Sequence, residues 1–152
     1  MSLLNTMVNT THDDRFAALR AVQCVAYQQA TAIRGIFDRA GLKPEDLRSV
    51  RDLSSLPVTS KDELLSLQRR DPPFGGFLAG DGLSMSRIFV SPGPIYEPQF
   101  AHDRDGLGFS RVFQQAGVGA GDRVLNTWSY HQVPAGLLLE AGLLACGATV
   151  IP

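Results

Sequence analysis

Apolar and polar positions follow two different rhythms along this chain, and the change falls near residue 85. In the front part Phe16, Leu19, Val22, Ala26, Ile33, Ile36 and Phe37 recur at helical spacing, so one amphipathic helix is predicted over residues 13–40. Thr11 stands where a capping side chain belongs, and Asp13 and Asp14 put negative charge on the first turn, where the helix dipole favours it. Gly41 followed by Pro44 supplies the stop. A short helical piece follows over residues 47–56 and ends at Pro57. Ser60 with Glu63 reads as a capping box opening a helix to about Arg69, and the proline- and glycine-rich residues 71–76 read as loop.

From Ser86 onward short apolar runs alternate with helical segments. Arg87-Ile88-Phe89-Val90 reads as a strand, and residues 91–98, with three prolines and a glycine, read as irregular. Residues 99–101 are a possible continuation of the sheet. Asp103 is the expected cap of a helix to Ala116, with Gly117, Gly119 and Gly121 making the turn into a strand over 124–128. Pro134 suits the first turn of another helix ending near Gly147, and Ala148-Thr149-Val150-Ile151 is a final strand. The expected fold is therefore α/β: a helical N-terminal region over residues 1–85, then a parallel βαβαβ over 86–152 with right-handed crossovers. A parallel strand is normally flanked and covered on both faces, so a repeat stopping at Pro152 reads as truncated.

Composition narrows the function classes. With 14 basic and 15 acidic residues the formal net charge is −1, and no basic run occurs, which argues against a nucleic-acid or membrane-surface partner. No stretch approaches the ~20 apolar residues that span a bilayer, and no secretory signal pattern opens the chain, so the cytoplasm is the expected compartment. Cys24 and Cys146 form neither a disulfide framework nor a zinc site and read as packing residues. No metal-ligand spacing, G-x-S-x-G, Walker lysine or G-x-G-x-x-G pattern occurs. His12 and His102 read as helix-start or loop residues, and Asp103 and Asp105 as capping groups rather than an acid pair.

An ordered set of short segments carries more. Phe37-Asp38-Arg39-Ala40-Gly41-Leu42, then Leu56-Pro57-Val58-Thr59-Ser60-Lys61-Asp62-Glu63-Leu64 and Pro73-Phe74-Gly75 lie in the front part. Ala116-Gly117-Val118, Gly121-Asp122-Arg123-Val124 and Gly147-Ala148-Thr149-Val150-Ile151-Pro152 follow. In order and spacing these resemble the N-terminal third of phenylacetate–CoA ligase and its relatives among the adenylate-forming (AMP-binding) acyl-CoA synthetases. The resemblance implies ATP-dependent activation of a small carboxylic acid, often an aryl acid, through an acyl-adenylate, with transfer to coenzyme A. ATP or AMP with Mg²⁺ and coenzyme A are the implied cofactors. Elements that the family carries later, including its C-terminal catalytic lysine, are expected to be missing, so no catalytic residue is assigned and residues 1–152 alone are expected to be inactive.

By position the family's phosphate loop falls on residues 91–98. Ser91, Gly93 and Pro98 match; Pro92 and Pro94 remove two backbone donors, Ile95 lacks a hydroxyl, and Glu97 stands where a cation is expected. A carboxylate ~4 Å from a phosphate charge costs roughly 1 kcal/mol in water and roughly 4 kcal/mol at an effective dielectric of 20, unless Mg²⁺ bridges them. Ser91, Gly93, Tyr96 and Glu97 are thus the candidate nucleotide contacts of a degenerate loop, with a rigid proline turn joining two strands as the alternative. Tyr96 either stacks on a ring or packs. The second candidate is the loop after the next strand, where ligands bind in open α/β sheets. There Trp128 and Tyr130 would wall an aryl pocket and His131 would meet the substrate carboxylate; otherwise the aromatics fill core and His131 is a surface residue. A non-catalytic binding or assembly module that keeps the fold without ATP chemistry is the alternative function. Its partner would be a second copy of the chain or a missing C-terminal portion, pairing through an exposed terminal strand.

Overall fold

The computed structural model describes residues 12–152. The expected Thr11 cap and the side chains of His12 and Asp13 lie outside the described residues. The chain falls into two compact units, dividing between Asp81 and Gly82.

In the first unit the single long helix expected over 13–40 is two helices, α1 (His12–Gln29) and α2 (Thr31–Ala40). Ala30 between them is extended, at φ −102° and ψ 110°, and only 1% exposed. The break leaves carbonyls at the end of α1 without helical donors, and the Arg34 guanidinium takes them up: Nε donates to the Tyr27 carbonyl (3.1 Å) and Nη2 to that of Gln28 (2.5 Å). On the other side, the Ala32 N–H at the start of α2 donates to the Gly76 carbonyl (3.0 Å). Helix α2 ends as its sequence predicts, on left-handed Gly41. Two 3₁₀ turns follow, Pro44–Asp46 and Val50–Ser55. The Asp52 carboxylate accepts from the backbone N–H groups of Arg48 and Ser49, and these bonds hold its pKa below the usual range. Phe37, Pro44 and Leu47 are the largest of the fully buried side chains, with Tyr27 edge-on to Phe37 at 5.7 Å. Helix α3 (Lys61–Arg70) is capped by Ser60 Oγ, which accepts from the Glu63 N–H (3.1 Å), while the Glu63 carboxylate reaches Arg39 (3.4 Å).

In the second unit, β1 (Met85–Ser91) and β2 (Ile95–Phe100) form an antiparallel hairpin. This corrects two expectations. The first strand does not join a parallel βαβαβ, and residues 95–98 are strand rather than irregular loop. Pro92 and Pro94 lie in the turn, which contains a cis Gly93–Pro94 bond. Pro98 pairs with Ile88, two residues from Val90, whose N–H points out of the hairpin to the Gln132 carbonyl. Alternate amides of an antiparallel pair face alternate ways, so Pro98 occupies an outward position and costs the ladder no bond.

The chain then turns through residues 101–108 to α4 (Phe109–Gln115), which starts later than the expected Asp103. Asp103 and Asp105 instead fold the preceding turns: Asp103 Oδ1 accepts from the Leu107 N–H (2.8 Å), Asp105 Oδ1 from the Gly108 N–H (3.2 Å), and Asp105 Oδ2 from Ser110 Oγ (3.2 Å). Strands β3 (Arg123–Leu125) and β4 (Thr149–Ile151) are parallel and joined by α5 (Ala135–Ala145), which is the βαβ unit that the sequence predicts. Helix α5 packs on α4 and its preceding turn at two glycines: a Cβ on Gly142 would lie 2.8 Å from that of Phe109, and one on Gly106 would lie 2.0 Å from the Leu138 carbonyl oxygen. Both cysteines are free and half-buried, and Cys146 Sγ contacts the Ser110 carbonyl at 3.1 Å.

Candidate functional site

The two segments singled out in the sequence lie in the same unit and are joined by a backbone hydrogen bond. Val90, one residue before Ser91, donates its N–H to the carbonyl of Gln132 at 2.9 Å. The hairpin turn at 92–94 and the loop at 128–133 are therefore neighbours, although some 35 residues separate them.

Within the hairpin, alternation sorts the candidate residues. Ser91 pairs with Ile95 and Phe89 with Glu97, so Ser91 and Glu97 stand on one face, diagonal to one another, roughly 7–8 Å apart at Cβ. Val90 pairs with Tyr96, which puts Tyr96 on the opposite face. Tyr96 and Glu97 therefore cannot meet one small group from the same side. The tip, Pro92-Gly93-Pro94, has one backbone N–H, that of Gly93. Lys43 and Lys61 are the only lysines of the chain, so none lies in this unit.

The loop after β3 is held by Asn126, which the sequence reading passed over. It is 7% exposed, and its backbone N–H and both side-chain polar atoms are used. Its N–H donates to the Ile151 carbonyl (2.8 Å), extending the β3–β4 pairing. Its Nδ2 donates to the Tyr130 hydroxyl (2.7 Å) and to the Gly136 carbonyl (2.9 Å), and its Oδ1 accepts from the Trp128 N–H (3.2 Å). A short polar residue directly after a β-strand, at the carboxyl end of a parallel pair, was the available signal. Gly136 opens α5 and lets the loop approach: its N–H donates to the Ser129 carbonyl (3.1 Å), and a Cβ there would lie 2.4 Å from that oxygen.

These contacts separate the three predicted loop residues. Tyr130 is half-buried and its hydroxyl is engaged by Asn126 and by the Glu140 carboxylate on α5. Burial and the bond to Glu140 raise its pKa, against the opposing Asn126 contact. Its ring is thus built into the loop's support. Trp128 is 61% exposed, and His131 is exposed with its backbone N–H on Ser129 Oγ (3.2 Å). Both are available to a ligand. At the base of the hairpin lies a further polar chain: Arg87 Nη1 donates to Gln99 Oε1 (2.9 Å), and Gln99 Nε2 donates to Asp103 Oδ2 (3.0 Å), with Gln99 only 4% exposed. Burial works to raise the Asp103 pKa, but the bonds from Gln99 and from the Leu107 and Asp105 backbone outweigh it and hold the carboxyl below its usual range.

Among the described residues no group of three or more His, Cys, Asp or Glu is placed to hold a metal ion, and no helix is long and apolar enough to cross a membrane.

A solved structure of 2-hydroxyisobutyryl-CoA ligase, in the postadenylation state with 2-HIB-AMP, superposes with a TM-score of 0.85 at 22% identity over 93% of this chain. The same ligase with 2-HIB-AMP and CoA, in the thioesterification state, gives 0.82 at 20% identity over the whole chain. The fold is that of part of an adenylate-forming acyl-CoA ligase. In sequence, the chain is similar to the phenylacetate-coenzyme A ligases of Aromatoleum evansii (31% identical over 133 residues, 84% of this chain) and Escherichia coli (strain K12) (32% over 133 residues). A third, from Thermus thermophilus, is 29% identical over 140 residues. The chain is thus phenylacetate–CoA ligase-like, as its landmarks indicated. It spans about three tenths of these relatives' length, 29% and 30% of the first two sequence matches. No family model matches it.

Proposed function

We propose that the second unit supplies the acid-facing loop and a degenerate phosphate contact of a phenylacetate–CoA ligase-like protein that activates a small carboxylic acid, with an aryl acid as the favoured class. The observation that carries this reading is the union of the hairpin turn with the loop at 128–133 through Val90 and Gln132. Trp128 offers an exposed aromatic face and His131, on the same loop, an exposed hydrogen-bonding ring, two groups suited to an aryl carboxylate. Coenzyme A as acceptor enters from the relatives' names and from the complexes of the structural neighbours.

The residues at the turn do not fit a triphosphate. Its tip offers one amide where a cradle uses several, no lysine lies in the unit, and Glu97 shares a face with Ser91. At roughly 7 Å and an effective dielectric of 20, one unit of like charge costs about 2 kcal/mol. No step through ATP or Mg²⁺ is therefore derived from these residues. The same mismatch favours a second reading, an adenylation fold kept for binding without ATP chemistry.

Calorimetric titration of the protein at its natural length distinguishes the two. Under the first reading an aryl acid binds, ATP binds weakly, and Glu97→Lys, which exchanges repulsion for attraction, tightens ATP by at least about tenfold. Unchanged or weaker ATP binding by Glu97→Lys removes the degenerate-contact assignment. Failure of every acid in the panel to bind removes the acid-facing one.

A further inference from the structure

The backbone at Gln132 is in an unusual state. Its φ is +62°, a value that side-chain-bearing residues seldom adopt, and the Val133 N–H donates across it to the His131 carbonyl at 2.7 Å. A hydrogen bond from residue i+2 to residue i around a positive φ is the rarer, strained form of the γ-turn. The turn leaves the Gln132 carbonyl free of the loop's own bonding, and that carbonyl receives the outward N–H of Val90 at 2.9 Å. At its other end the same loop is fixed to α5 by the Gly136 N–H on the Ser129 carbonyl and by the Asn126 and Tyr130 contacts. His131 lies between these two anchors, and Ser91 is the neighbour of Val90.

We propose that Gln132 is a positioning residue: its strained γ-turn docks the loop bearing His131 against the outer edge of β1 and so fixes the distance between His131 and the turn that follows Ser91. Strained backbone persists only where its surroundings over-determine it, and here the determinants are the Val90 bond on the β1 side and the Asn126, Tyr130 and Gly136 contacts on the α5 side. The consequence is that the spacing between the loop bearing His131 and the hairpin turn depends on one backbone bond. The ligand classes rest on the function proposed above; the docking itself does not.

Three variants of the full-length protein test this. Val90→Pro removes the donor while leaving the β1–β2 ladder intact, because that N–H points out of the hairpin. Gln132→Val keeps a carbonyl but disfavours the positive φ, and Gln132→Gly keeps the carbonyl and accepts that φ readily. In acid-dependent turnover, Val90→Pro and Gln132→Val are expected to raise KM for the acid by about tenfold to a hundredfold, with Gln132→Gly leaving it near the wild-type value. Variants that lower only thermal stability, or only kcat through a smaller folded fraction, with KM unmoved, overturn the proposal.

Two readouts need no turnover and separate failure of the docking from failure of the function. The Val90 amide is expected to resist hydrogen exchange in the wild type and in Gln132→Gly and to lose that protection in Gln132→Val. The emission of Trp128, the single tryptophan of the chain, should shift in Gln132→Val and Val90→Pro alone. A Val90 amide that exchanges freely in the wild type refutes the docking whatever the protein catalyses. Protected exchange and shifted emission without turnover support the docking and count against the ligase reading only.

Discussion

Gly136 is the position where a single methyl group should do most damage for its size. Placed on that residue, a Cβ lies 2.4 Å from the Ser129 carbonyl oxygen, 2.8 Å from its carbon and 3.1 Å from Tyr130 Cγ. Ordinary contact begins near 3.4 Å, so the Ser129 carbonyl must retreat by about 1 Å. That movement stretches the 3.1 Å bond from the Gly136 N–H beyond hydrogen-bonding range and pulls on Asn126 and Tyr130. Overpacking costs about 1–3 kcal/mol and the lost bond about 1 kcal/mol, while alanine in a helix returns about 1 kcal/mol over glycine. Gly136→Ala should therefore destabilise its unit by about 2 kcal/mol, or roughly 8–16 °C in Tm for a domain of this size. Gly35, within α2, is the control: only Arg39 Nη1, at 3.9 Å, comes within 4 Å of its added Cβ. Gly35→Ala should stabilise by about 0.5–1 kcal/mol. Urea denaturation combined with amide exchange, read separately in residues 12–81 and 82–152, assigns each change to its unit. A neutral or stabilising Gly136→Ala would refute the close seating of the loop on α5.

Two further outcomes follow from the polar contacts. Asn126→Ala removes three side-chain hydrogen bonds at a buried site and should cost about 2–4 kcal/mol, against about 1 kcal/mol for Tyr130→Phe; equal effects in urea unfolding would remove Asn126 from the centre of the network. The Asp103 carboxyl is held below its usual pKa in the folded state, so its contribution to stability is complete above the unfolded value of about 3.9 and is lost as pH falls through the lower folded value. Asp103→Asn should accordingly cost about 1 kcal/mol at pH 7, discounted for partial exposure, with the gap from the wild type closing below about pH 4. A gap independent of pH would exclude the carboxylate as its source.

Much of the fold was legible because local chemistry and tertiary structure agree. Gly41 stops α2, Ser60 caps α3, and glycines at 117 and 121 turn the chain into β3 just as their types suggest. The break at Ala30 was hidden because alanine is the best helix former, and what sustains the break is not backbone propensity: Arg34, one turn on, takes up the α1 carbonyls, and Gly76, distant in sequence, receives the Ala32 N–H. The hairpin was missed for a related reason. Three prolines in eight residues argue against strand only if their missing N–H groups fall inside the ladder, and that parity depends on a register the sequence does not display. For the candidate site, position beyond a strand end located the loop at 128–132. Aromatic and histidine character marked the exposed Trp128 and His131 but not Asn126, Gly136 and Gln132, which fix where the loop lies.

The most direct test of the account is ATP–pyrophosphate exchange by the protein at its natural length, with a panel of aryl and short aliphatic acids and Mg²⁺. Exchange that depends on the acid, strongest with an aryl acid, is the expected result. No exchange with any acid, from protein shown to be folded, would contradict it and leave an adenylation fold retained for binding.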